Sequence, residues 1–142
     1  MSTPIAWYRP WFYAAAVYNA VWAIAVLATP ITAARLVGVD GAAFVPFIQV
    51  IGMMVGAYAY GYYLLARDPD RYCGFIWIAL AGKTLGPLGF VYYAVLGVLP
   101  WSFAWVCVPN DLIWWPVFWS FALRYARAPL CGGARSGGVE RQ

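Results

Sequence analysis

Lys83 and Asp111 are the only charged side chains between Arg71 and Arg124. They stand in two uncharged settings, "GKTLGPLGF" at 82–90 and "VPNDLIWWPVF" at 108–118. A carboxylate withdrawn from water can act as general acid or base, and a nearby ammonium can adjust its proton affinity or polarise a carbonyl. Asn110 adjoins the aspartate, and Trp114 and Trp115 follow it at helical spacings of three and four, partly on its face. Indole faces stabilise developing positive charge. Asp111 and Lys83 are therefore the candidate catalytic pair, and isomerisation or cyclisation of an isoprenoid-like substrate would need little else. Asn19, Gln49, Asn110, Trp114 and Trp115 are the candidate binding residues. Packing and interhelical hydrogen bonding are the commoner roles for Asn19, Gln49 and the two tryptophans.

Other chemistries are poorly served. Histidine is absent, which removes imidazole metal sites, haem ligation by histidine and the usual base near neutral pH. The sequence predicts neither a metal nor a cofactor. Cys73, Cys107 and Cys131 form no C-x-x-C pair, and their odd number and wide spacing argue against a disulfide framework or a thiol relay.

The elements that must position these residues follow from composition. Of 142 residues, 65% are hydrophobic and 10% charged, against about half and a quarter in soluble domains. A bilayer is the solvent that suits such a chain. Its basic residues form no cluster on a soluble face, so nucleic acid is not an expected partner. A helical span needs about 20 apolar residues, and the charges leave room for four, at roughly 8–29, 44–66, 73–96 and 101–124. "GVLPW" at 97–101 supplies the turn between the last two. The first run is longer than the apolar part of a cleaved signal peptide. The sequence thus predicts an all-α, four-transmembrane-helix bundle in one domain, 1–127, followed by a disordered Gly-rich cytoplasmic tail, 128–142.

With four spans, Arg9, Arg67, Arg71, Arg124, Arg127, Arg135 and Arg141 share a side, and Arg35 alone lies opposite. The positive-inside rule then places both termini in the cytoplasm. Trp7, Trp11, Tyr62, Tyr63 and Tyr72 fall near that interface and Trp101 near the other, as belt aromatics do. Trp22, Trp114 and Trp115 fall deeper. "GMMVG" (Gly52, Gly56) and "GKTLG" (Gly82, Gly86) predict close packing of spans two and three through small residues. Pro87, Pro109 and Pro116 predict kinks in spans three and four and a polar, irregular patch around Asn110 and Asp111.

Depth then brings the opposite charges together. At 1.5 Å per residue, Lys83 lies roughly 15 Å and Asp111 roughly 20 Å from the cytoplasmic end. Asn19 shares this layer, and Gln49 lies further out. An unpaired charge there costs about 2.5–3.5 kcal/mol on insertion scales, so the two are expected to pair. An ion pair that merely fixes helix register is the structural alternative, yet such pairs are poor stabilisers. Intramembrane ionisable groups more often mark a ligand or proton site.

The combination of "GKTLGPLGF" and "NDLIWWPVF" resembles uncharacterised small four-span bacterial inner-membrane proteins, mainly over the last two spans. That resemblance implies a membrane location and no activity. Quinone reductases need a cysteine pair, and small multidrug exporters a glutamate where span one has only Asn19. Sterol-isomerase-like proteins use histidines missing here, and retinal proteins need seven helices. Three functions follow as expectations: a midplane site for a lipophilic small molecule, proton-coupled transport by a homo-oligomer, or an accessory subunit of a membrane complex.

Overall fold

A computed structural model describes residues 4–36, 38 and 42–126. The expected tail at 128–142, with Cys131, and the basic residues Arg127, Arg135 and Arg141 lie outside the described residues, as does Asp40. Every described regular element is helical. The order is α1 (Arg9–Ala28), α2 (Pro30–Leu36), α3 (Val45–Arg67), α4 (Pro69–Tyr72), α5 (Phe75–Val95), α6 (Ala104–Asn110) and α7 (Trp115–Tyr125).

Proline and glycine set most of these boundaries. Pro10 and Pro46 occupy the first turns of α1 and α3, where a missing N–H removes no helical bond. The residue before a proline is pushed out of the helical region. Thr29 and Asp68, with φ of −132° and −140°, therefore end α1 and α3 ahead of Pro30 and Pro69. At the end of α5, Gly97 has φ +73°. Val98 N–H donates to Tyr93 O at 2.9 Å and Gly97 N–H to Ala94 O at 3.1 Å, which is a Schellman C-cap. The expected turn at 97–101 is this cap.

Among the described residues, α1 (continued upstream to Ile5 by a short 3-10 turn), α3 and α5 are long and apolar enough to cross a membrane. The fourth apolar stretch differs from expectation. It is not one kinked helix but two short ones, α6 and α7, separated by Asp111 and a 3-10 turn at Leu112–Trp114. Pro109 and Pro116 each remove a backbone donor within seven residues, so a continuous ladder cannot cross the interval. By contrast, α5 runs through Pro87 as a single helix.

Successive segments are antiparallel. Along the α1/α3 pair, Arg9 reaches the carbonyls of Ala66 and Arg67, Tyr13 meets Tyr63, and Ala23 and Val26 face Gly56 and Gly52. Arg9 thereby places a cation on the C-terminal carbonyls of α3, where the helix dipole favours it. This pair is the most extensive in the fold, and it corrects the expected role of "GMMVG". Gly52 and Gly56 admit α1, not α5, because α1 turns its own small residues, Ala15, Ala16, Asn19 and Ala23, inward.

Packing is uneven along the helix axes. At the Arg9–Arg67–Arg124 end, Tyr8 just before α1, Phe12 of α1, Tyr62 and Leu65 of α3, Ile76 of α5, and Phe118 and Phe121 of α7 form one buried cluster. Phe12 and Phe121 meet edge-to-face at 4.9 Å, and the Tyr8 hydroxyl lies 2.8 Å from Ser120 Oγ. Tyr62, expected at the interface, is fully buried there, because Phe75 and Phe118 close over its ring. A second, small cluster, Phe90, Ala94 and Cys107, holds the opposite end of α5 to α6. The outward faces are large and apolar, with Val17, Val21 and Ile24 on α1, Met53 on α3, and Leu85 and Leu88 on α5. Lipid, rather than water, matches such a surface. Cys107 is a free, buried thiol.

Candidate functional site

The break between α6 and α7 creates the site. An unbroken helix would pair the carbonyls of Pro109 and Asn110 with donors one turn later. Here Trp114 Nε1 donates to Pro109 O at 3.0 Å, and Lys83 Nζ donates to Asn110 O. In a bilayer such freed carbonyls need substitute donors, and one indole and one ammonium supply them. Asp111 itself closes α6 through its N–H to Cys107 O at 2.9 Å. Its φ and ψ of −123° and −57° lie outside the helical region.

Lys83 reaches the break from the middle of α5. Its Nζ lies 3.3 Å from Asp111 Oδ1, with both side chains at or below 10% exposure. Asn110 Nδ2 donates to the same oxygen at 2.9 Å. The lysine therefore serves a helix end and a carboxylate together, and a cation near a helix C-terminus is favourable on both counts. Asn110 Oδ1 is buried without a donor.

A cavity of about 280 Å³ adjoins this pair. One wall is polar, from Lys83, Asn110 and Asp111; the other is apolar, from Ile51, Met54 and Val55 of α3. Ile51 and Met54 are also exposed on the outer surface, so the cavity opens towards the apolar exterior between α3 and α5. Glycines make the room. Gly86 lines the cavity, and a Cβ there would sit 3.4 Å from Asp111 Oδ2. At Gly82 a Cβ would come within 2.8 Å of the Tyr58 hydroxyl, so its absence lets that ring lie across α5. The "GKTLG" glycines thus face a tyrosine and a carboxylate rather than the α3 backbone, which corrects the expected close α3/α5 contact.

The other candidate residues lie apart from the cavity lining. Asn19 is buried, but its Nδ2 donates to Ala15 O at 2.7 Å within its own helix. Gln49 is half-buried on α3. Trp114 is buried in the main cluster against Tyr18 and Phe118. Trp115 is more exposed and donates to Thr84 Oγ1 at 3.1 Å. Tyr58, Met54 and Ile51 line the cavity without having been singled out in the sequence. They carry no charge and break no pattern on α3, so only the fold distinguishes them. No family model, curated protein or solved structure matches this chain.

Proposed function

We propose that this protein crosses an inner membrane four times and holds a lipophilic small molecule against the Lys83–Asp111 pair. The observation that carries the reading is the buried ion pair at a helix break, lining a cavity whose other wall is apolar. Pockets that orient small molecules share this plan, a few converging polar groups in an apolar lining. The fourth crossing is supported by the course of residues 101–125 along α5. Trp101 and Phe103 meet Phe90, Asp111 meets Lys83, and Trp119 meets Trp77.

In this reading residues 1–127 form one membrane domain, and the resemblance to small four-span inner-membrane proteins is a resemblance of architecture. Asp111 would exchange protons with the bound molecule and Lys83 would hold its charge, as an isomerase or cyclase of an isoprenoid-like substrate requires. Arginine asymmetry supports cytoplasmic termini. Side-specific labelling of Asp70→Cys in a background without native cysteines decides this; labelling from outside intact cells rejects cytoplasmic termini.

Ligand binding is tested by native mass spectrometry of protein extracted directly into lipid nanodiscs. Wild type is expected to retain a lipophilic molecule of defined mass, and Lys83→Met/Asp111→Asn to retain at least about tenfold less. Equal retention by both, or none by wild type, rejects the reading. A larger defined complex without a small molecule would make the chain an accessory subunit instead.

A further inference from the structure

The hydrogen-bonding inventory of the cavity narrows the head group it accepts, given the small-molecule reading above. Both donors that reach the Asp111 carboxylate among the described residues, Lys83 Nζ and Asn110 Nδ2, fall on Oδ1. Oδ2 points to the space that a Gly86 Cβ would otherwise narrow, at 3.4 Å. Asn110 Oδ1 is a second acceptor without a donor. An ammonium has three N–H groups, and Lys83 directs two of them at Asn110 O and Asp111 Oδ1. What the polar wall lacks is therefore a donor for a carboxylate oxygen and one for the Asn110 side-chain carbonyl, and what it can still offer is the third N–H of Lys83 and the second of Asn110 Nδ2.

We infer that the cavity binds the hydroxyl head of a long-chain alcohol, which donates to Asp111 Oδ2 and accepts from Lys83, with its tail along Ile51 and Met54. A hydroxyl is the smallest group that both donates and accepts. An aldehyde or ether has no proton for Oδ2. A carboxylate adds a negative charge beside Asp111, and an ammonium brings a third charge with no acceptor for Lys83. The volume, about 280 Å³, lies at the low end for small-molecule sites. It suits a head and the first part of a chain, the remainder leaving between α3 and α5 into lipid.

The test is a head-group series on the wild-type protein in nanodiscs, using dodecanol, dodecanal, methyl dodecyl ether, dodecylamine and dodecanoate. Affinity is read by tryptophan fluorescence and checked by native mass spectrometry. Dodecanol is expected to bind about 10- to 100-fold tighter than the ether and the aldehyde, as one hydrogen bond to a charged group implies. Gly86→Val, which fills the space before Oδ2, should weaken dodecanol by at least about tenfold. An aldehyde, amine or carboxylate that binds as tightly as the alcohol overturns the hydroxyl assignment and leaves the lipophilic site standing. Failure of all five to bind overturns both. The series needs no variant, so a Gly86→Val protein that does not fold leaves the test intact.

Discussion

Lys83 and Asp111 depend on each other unequally. The lysine bonds both the Asn110 carbonyl and the carboxylate, whereas the aspartate bonds the lysine and the neighbouring amide. Lys83→Met strands a buried carboxylate and a buried carbonyl together. Breaking a buried pair costs about 3–5 kcal/mol, and an orphaned polar group adds about 1–3 kcal/mol. Asp111→Asn leaves Lys83 still bonded to Asn110 O and should cost less. The double variant should cost less than the two singles added, by about 1–3 kcal/mol, yet remain below wild type because the carbonyl stays orphaned. Denaturation in a mild detergent measures all four proteins. Additive losses, or a larger loss for Asp111→Asn, would contradict this arrangement. The pairing could be anticipated from the sequence, since two opposite charges in an uncharged interval of estimable depth have few other solutions. The carbonyl that Lys83 also satisfies could not, because it exists only once the helix breaks.

At the scale of elements, span ends were legible and span contacts were not. Thr29–Pro30, Asp68–Pro69 and Gly97 fix where helices stop through local backbone sterics, which a sequence displays directly. The partner of a small-residue motif is not local. "GMMVG" fits any helix with a matching small face, and α1 offers that face. Proline density signalled irregularity near Asp111, but not that the segment would part into α6 and α7. The tightest glycine went unmarked, since Gly61 belongs to neither motif. A Cβ there would overlap the Phe75 ring, whereas one at Gly56 would make ordinary contact with Ala23 at 3.6 Å. Gly61→Ala is therefore expected to destabilise by about 1–3 kcal/mol, and Gly56→Ala by under about 0.5 kcal/mol. Thermal unfolding of the two variants checks this. Equal losses would mean that the α3/α5 crossing is looser than the ring contact implies.

The whole molecule divides into a close-packed basic end and an opposite half in which α3 and α5 stand apart. The cavity occupies the boundary, where the aromatic cluster around Phe118 and Phe121 gives way to glycines. A site placed there can open sideways to lipid without disturbing the cluster that holds the segments together. This depends on the interrupted α6–α7 segment lying across the membrane beside α5, with its break roughly 15–20 Å from the basic end. A nitroxide at Leu112→Cys, on the exposed side of that break, measures the depth directly through the ratio of its oxygen and nickel-chelate accessibilities in a bilayer. Leu85→Cys, exposed in the middle of α5, and Asp70→Cys, exposed between α3 and α5, provide the deep and shallow standards. The expected result is a Leu112 label as deep as the one at Leu85. A Leu112 label as shallow as that at Asp70 would place α6 and α7 on the membrane surface and contradict both the fourth crossing and the embedded site.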